Sequence, residues 1–161
     1  MKILQGNIWD WWKWDLSIPI CVTTNGMINK DGHLVMGAGI AKDAKNKCIS
    51  LAPFLGQMVK WYGNKPIYVP THNIISFPTK YNWKDNSDIK LIKQSAQIIK
   101  EMIKFYGLSG VISPWPGCSN GGLTVEEVQP ILENIWDSDK FWIVDYKNTL
   151  TNTEKNDKIV F

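Results

Sequence analysis

The chain has 161 residues, enough for one domain that buries its own core without disulfides or bound metals. Three cysteines without a CxxC pair, and only two histidines, argue against a disulfide framework and against a metal cluster. A net charge of +3 is too small to indicate a nucleic-acid partner by itself, and no apolar run is long enough for a membrane span.

All 18 basic residues are Lys, so no guanidinium fork is available to hold a phosphate. Backbone amides and helix N-termini are the strong anion binders that remain. Gly6, Asn7 and Asp10 interrupt any signal-peptide core, which predicts a cytoplasmic protein with no membrane partner. The nine tryptophans fit a core with an aromatic flank, and a ligand platform is the alternative.

Short apolar stretches predict strands at about 2–5, 18–23, 67–70, 73–77, 110–113 and 141–146. Helical spacing predicts helices at about 53–62 and 87–106, a shorter one after Gly39, and one from Thr124, where Thr124 and Glu127 form a capping box. This alternation indicates a layered α/β domain, in which ligands bind at the carboxyl ends of the strands. Residues 147–157 are polar and predict a C-terminal segment outside the core.

Two glycine-rich loops each follow a predicted strand and precede a predicted helix. The first is Met36-Gly-Ala-Gly-Ile40, and the second is Gly117-Cys-Ser-Asn-Gly-Gly122. Glycine lets successive N–H groups point into one concavity, and the following helix adds its positive N-terminus. Two such loops on adjacent strands would hold a diphosphate from both sides. For either loop taken alone, a simple tight turn is an equal alternative, and neither completes GxGxxG.

These loops form part of a longer pattern that resembles the macrodomain family. It comprises Gly6-Asn-Ile8, Asn25, Met36-Gly-Ala-Gly-Ile-Ala41, Phe77-Pro-Thr-Lys80 with Trp83, and Pro116-Gly-Cys-Ser-Asn-Gly-Gly-Leu123. The most similar branch is that of the DarG-type DNA ADP-ribosyl glycohydrolases and the terminal ADP-ribose glycohydrolase. The resemblance extends over about residues 1–146 and implies one three-layer α/β/α domain around a mixed sheet of about six strands.

The resemblance also implies that the cleft binds ADP-ribose without a cofactor or a metal. Gly6-Asn7-Ile8 would meet the adenine, the two loops would surround the diphosphate and distal ribose, and Asn25 would approach that ribose. The predicted ligand-binding residues are Asn7, Ile8, Met36, Gly37, Ala38, Gly39, Ile40, Thr79, Trp115, Gly117, Cys118, Ser119, Asn120, Gly121 and Gly122. Most members have Asp where this chain has Asn7, and Gly121 stands near a position where one relative carries an acid.

Lys80 is the predicted nucleophile, with Asn25 beside it in the catalytic site. A lysine amine attacks an electrophilic sugar carbon or its ring-opened aldehyde, here C1″ of the distal ribose as the resemblance implies. Phe77, Tyr81, Trp83 and Trp115 are candidate walls of an apolar pocket around it. A solvated surface lysine, or one that only neutralises phosphate charge, is the alternative.

The function predicted from the sequence is removal of ADP-ribose from a nucleobase or an acidic side chain. The alternatives are a reader or sponge that binds ADP-ribose or a related nucleotide without turnover, and an ADP-ribose 1″-phosphate phosphatase. The expected partners are ADP-ribose or an ADP-ribosylated substrate, with transient contact to a modified nucleic acid left open, and the protein is expected to be a monomer. His33 and His72 are set aside as predicted loop residues, and a Cys118 nucleophile is set aside because no base lies near it in the sequence.

Overall fold

Six strands form one sheet in the computed structural model, which describes residues 1–146. They are β1 (Lys2–Gln5), β2 (Ile20–Thr24), β3 (Tyr68–Val69), β4 (Ile74–Pro78), β5 (Val111–Pro114) and β6 (Phe141–Asp145). The sheet order is β1-β6-β5-β2-β4-β3, and every pairing is parallel except that of the edge strand β3 with β4. The sheet is therefore mixed, and the predicted fold class is confirmed. The polar segment predicted at 147–157 lies outside the described residues.

Four helices cover the two faces of the sheet: α1 (Gly39–Lys47), α2 (Leu51–Tyr62), α3 (Ile89–Tyr106) and α4 (Val125–Ile135). Two separate apolar cores result, and neighbouring residues within a strand point to opposite cores, as the two-residue strand period requires. Cys21 and Ile75 join α3 and α4, whereas Val22 and Ile74 join α1 and α2. The three-layer arrangement follows from this division.

Local sequence signals explain where the long helices begin and end. The Asp88 carboxylate accepts hydrogen bonds from the backbone N–H groups of Lys90 and Leu91 and so caps α3, which ends at Gly107 in the left-handed conformation. Thr124 and Glu127 form the predicted capping box of α4. In contrast, α1 begins after Ala38 with no side-chain cap, so its first N–H groups have no side-chain acceptor.

The sheet opens between its two central strands. β2 pairs with β4 over five residues, from Ile20 with Ile74 to Thr24 with Pro78. With β5 it shares the single pair Ile20 and Ile112, so these two strands diverge toward their carboxyl ends. Because the chain leaves β2 for helices on one face and returns to β5 from a helix on the other, this is the topological switch point where α/β sheets bind ligands.

Candidate ligand cleft

A cleft of about 740 Å³ occupies this opening at the carboxyl edge of the sheet. Its walls come from the segments that follow β1, β2, β4, β5 and β6, so residues far apart in sequence meet in one place. A second cavity of about 690 Å³ lies elsewhere, between the 64–66 loop and α3. We take the former as the functional site because it lies at the switch point and contains nearly all of the predicted residues.

Most of the predicted site residues line this cleft. They are Asn7, Ile8, Asn25, Gly37, Ala38, Gly39, Ile40, Thr79, Lys80, Trp115, Gly117, Ser119, Asn120 and Gly121. The two glycine loops face each other across it: a Cβ added at Gly39 would lie 3.0 Å from Nδ2 of Asn120. The loops therefore approach closely enough to enclose one ligand between them.

Met36, Cys118 and Gly122 do not line the cleft, although they were predicted ligand residues. Met36 is only 2 % exposed and packs in the core beside α1 and α2. The Cys118 side chain packs against the core on the α3 and α4 side. Gly122 has a φ of 75° and turns the chain toward α4, so the backbone conformation explains why glycine occupies this position.

Lys80 follows β4 and is the only cationic residue that lines the cleft within the described chain. Its Nζ donates a hydrogen bond to the carbonyl oxygen of Asn120, 3.3 Å away in the second loop. Of the four aromatic walls predicted around it, Trp83 and Trp115 line the cleft, Phe77 is buried in the core, and Tyr81 lines the other cavity. The pocket around Lys80 is thus built less from apolar rings than expected.

Asn25 has both atoms of its side-chain amide engaged. Its Nδ2 donates to the Val35 carbonyl at 2.9 Å, and its Oδ1 accepts from the Met27 N–H at 2.9 Å. Asn25 therefore braces the segment that carries the first glycine loop, and one N–H bond of its amide is left for a ligand.

The 29–34 segment docks on α2. The N–H of Leu34 donates to the Ala52 carbonyl at 2.9 Å, and Gly56 leaves room for the backbone of Gly32. Of the connection between β2 and the first loop, the cleft includes Asn25 and Val35 but none of 26–34. This segment therefore does not form part of the cleft wall.

Gly121 has no room for a side chain. An added Cβ would overlap Oγ of Ser87 and lie 2.6 Å from the carbonyl oxygen of Gly117. Ser87 also donates its backbone N–H to the Gly121 carbonyl at 2.8 Å, which fixes the second loop against the start of α3. Any side chain at position 121, a carboxylate included, is therefore excluded by packing.

Sequence reasoning missed several lining residues, among them Trp9, Asp43, Ser87 and Tyr146. Tyr146 could have been found, because it directly follows a strand at the edge where ligands bind. Ser87 could not, because only the fold brings it against the second loop. Asp43 is the only acidic lining residue within 1–146. His72 lies with Nε2 3.0 Å from Ser50 Oγ, and neither histidine lines the cleft.

Within residues 1–146, no group of three or more His, Cys, Asp or Glu side chains is placed to hold a metal ion. No helix there combines the length and the apolar character needed to cross a bilayer.

Structural comparison identifies the fold. The macrodomain of Mycobacterium tuberculosis DarG matches 88 % of this chain and 96 % of its own, with 25 % identity and a TM-score of 0.70. The macrodomain of Thermus aquaticus DarG matches 91 % and 97 %, with 19 % identity and a TM-score of 0.71. The chain has the macrodomain fold.

A third solved structure, Thermosipho africanus DarTG in complex with ADP-ribose, matches 96 % of this macrodomain with 20 % identity and a TM-score of 0.75. This chain spans 44 % of that longer protein. By sequence, no family model and no curated protein matches. The shared architecture is thus visible in three dimensions and in a few loop motifs.

Cys118 is expected to be chemically inert in the folded macrodomain. Burial, reinforced by Glu127 and Glu126, raises the pKa of its thiol to about 12. Against an ordinary thiol of pKa about 8.5, the thiolate fraction at pH 8 falls roughly a thousand-fold. Iodoacetamide at pH 8 should therefore label Cys118 slowly in the native protein and rapidly in urea, as peptide mass spectrometry would show. Fast labelling of the native protein would contradict the assignment and return Cys118 to the list of candidate nucleophiles.

Proposed function

We propose that this macrodomain binds ADP-ribose in the cleft and removes it from a modified target, with Lys80 as the nucleophile. The observation that carries the proposal is that two glycine loops and one lysine meet at the divergent ends of β2 and β5. The structural similarity of this chain to the Thermosipho africanus protein, which was solved with ADP-ribose, supports ADP-ribose as the ligand here as well.

The diphosphate would lie between the two loops. The first loop leads into the uncapped N-terminus of α1, whose free N–H groups and partial positive charge suit an anion. Gly117 has a φ of 78° and is closely surrounded by Ile92, Ser87 and Leu123, which fixes the turn of the second loop. A backbone cradle of this kind replaces the arginines that the chain lacks.

The adenine would lie at the other end of the cleft, against Ile8 and Trp9. The Asn7 Oδ1 accepts from the Trp9 N–H at 3.0 Å and so caps the short 3₁₀ helix Ile8–Asp10. Its second lone pair remains available to the adenine amino group. Asn7 would therefore serve both local structure and base recognition, with a weaker hydrogen bond than a carboxylate would make.

The distal ribose would lie near Lys80 and Asn25. In the proposed reaction a bond forms between Lys80 Nζ and C1″ while the bond from C1″ to the target breaks, and the target leaves with a proton. Water then hydrolyses the bond to the lysine, which releases ADP-ribose and restores the amine. Either a nucleobase or an acidic side chain would serve as the leaving group in this scheme.

A reader without turnover is the second candidate, and the closed position at Gly121 favours it. If an acid in the second loop is needed to activate water, this cleft lacks one at that place. The two candidates share the binding step and differ only in release.

Titration calorimetry with ADP-ribose tests the binding step. We expect saturable binding at one site per chain, because the described part of the protein has one cleft at the sheet's carboxyl edge. Release is then measured on ADP-ribosylated DNA and on ADP-ribosylated protein. Binding without release from either identifies a reader, phosphate release from ADP-ribose 1″-phosphate identifies the phosphatase, and absence of heat and of a Tm shift refutes the proposal.

A further inference from the structure

The backbone around Lys80 is held by hydrogen bonds from several parts of the fold. The N–H of Thr79 donates to the carbonyl of Thr24 at 3.0 Å, and the carbonyl of Tyr81 accepts from the N–H of Gly26 at 3.0 Å. Both are backbone contacts to the segment that continues β2. The carbonyl of Thr79 accepts from the N–H of Asp88 at 2.8 Å. The carbonyl of Lys80 itself accepts from a side chain: Asn64 Nδ2 donates to it at 3.1 Å.

Asn64 reaches Lys80 from a third element. It follows Gly63, which ends α2 with a φ of 84°. The Asn64 side chain packs directly on Gly26, since a Cβ added there would lie 2.9 Å from both Cγ and Nδ2 of the asparagine. Asn64 thus joins the end of α2 to the segment after β2 and to the segment after β4.

We propose that Asn64 is a positioning residue for Lys80, and this inference rests on the proposed function. The hydrogen bond from Asn64 restrains the peptide group that follows Lys80, and with it the direction in which the Lys80 side chain leaves the backbone. A nucleophile displaced by about 1 Å loses on the order of a hundred-fold in rate, because the reacting atoms no longer meet in line. The side chain can then reach across to Asn120 and to a sugar beside it.

The hydrogen-bonding pattern of the Asn64 side chain indicates a role beyond stability. Its Oδ1 is buried and has no hydrogen-bond partner within residues 1–146. A buried acceptor without a partner destabilises a fold. An apolar residue of similar size would avoid that cost, but it would lose the donor to Lys80. The amide also has only one useful orientation, because the opposite one would set Oδ1 against the Lys80 carbonyl.

The test compares Asn64→Leu, Asn64→Asp and Gly26→Ala with a control, Asn134→Asp. Asn64→Leu removes the donor, and Asn64→Asp replaces it with an acceptor. Gly26→Ala displaces the asparagine by overlap without altering it. Asn134 is exposed, lies on α4 and lines the same outer cavity as Asn64, so its variant reproduces the added charge without the contact.

The main readout is covalent capture of ADP-ribose by Lys80. The amine condenses with the ring-opened C1″ aldehyde and loses water, and added cyanoborohydride then reduces the imine to a stable secondary amine. We expect the three test variants to slow capture at Lys80 about ten- to a hundred-fold. Their Kd for ADP-ribose should stay within about three-fold of the unmodified protein, and Asn134→Asp should change neither quantity. The double variant of Gly26→Ala and Asn64→Leu should be no slower than the worse single variant, since both act through one contact.

A second readout does not depend on ADP-ribose. Amide hydrogen exchange at residues 79–83 should rise in the three test variants and stay unchanged in the control, while exchange in α3 stays constant. If the unmodified protein neither binds nor captures ADP-ribose, the proposed function fails and the exchange measurement still decides the role of Asn64. Unchanged exchange with unchanged capture would overturn the inference, as would a loss of ADP-ribose binding that equals the loss of capture.

Discussion

Lys80→Ala is expected to reduce the release of free ADP-ribose by about 10³-fold or more, because it removes the group that attacks C1″. The Kd for ADP-ribose should change by no more than about three-fold, since Lys80 is one contact among many and the loops supply the phosphate contacts. Release is followed by chromatography from ADP-ribosylated DNA or protein, and binding by calorimetry.

The matched control is Lys84→Ala. Lys84 follows in the same segment, is exposed, and lies with Nζ 5.4 Å from the centre of the Trp83 ring, outside the cleft lining. Both variants remove one positive charge from the same region, so an effect confined to Lys80 is not a general effect of charge. Equal losses in the two variants would point to electrostatic attraction of the substrate.

A third variant, Lys80→Arg, separates nucleophilic from electrostatic action. Arginine keeps the positive charge but stays protonated at any pH at which the protein is folded. If Lys80 attacks the sugar, the Lys80→Arg protein should be as inactive as the alanine variant. If it retains most of the rate, the lysine neutralises developing charge, and the covalent route is wrong. Full activity of Lys80→Ala would remove Lys80 from the mechanism altogether.

Much of the fold was predictable because its signals are local. The α3 helix was predicted at about 87–106 and forms at Ile89–Tyr106, since apolar spacing, the Asp88 cap and Gly107 act within one segment. β3 was predicted at 67–70 and contains only Tyr68–Val69, because Pro70 begins a short 3₁₀ helix instead. Where a proline lacks the N–H that a strand needs, the chain leaves the sheet early.

Strand order was not predictable in the same way. The apolar runs of β2 and β5 carry no mark that makes them neighbours, yet their divergence after Ile20 and Ile112 creates the cleft. The condition set for the two glycine loops, that they follow adjacent strands, is nevertheless met, because β2 and β5 pair. Neither the periodicity of the chain nor the resemblance to a known family specified that pairing.

Within the loops, sequence patterns identified segments better than individual side chains. Met36 and Ala38 belong to one motif, but the first points into the core and the second lines the cleft. Cys118 and Ser119 differ in the same way. Alternation along an extended or turning backbone decides which neighbour faces a ligand, and that depends on packing against distant helices. The contacts of Asn64 with Lys80 and of Ser87 with Gly121 are equally non-local.

The two loops contain glycine for different reasons. Gly121 is required by the protein itself, since Ser87 and the Gly117 carbonyl fill the space of a side chain. Gly37 is not: its φ is not positive, and no atom lies within 4 Å of an added Cβ. Nothing in the described fold therefore explains a glycine at position 37, and the cleft that it lines offers the remaining reason.

Gly37→Ala should leave the fold intact and weaken ADP-ribose binding by about 10²-fold, because the new methyl group would occupy the space through which a phosphate approaches the backbone. The Tm without ligand should fall by no more than about 2 °C, and a Gly→Ala change at an unstrained position even favours a rise. Gly121→Ala is the contrasting variant, and it should lower both the Tm and the affinity. Calorimetry gives the Kd for ADP-ribose of each variant, and thermal unfolding gives its Tm. Full affinity in Gly37→Ala would place the diphosphate away from the first loop, and the cradle would then depend on the second loop alone.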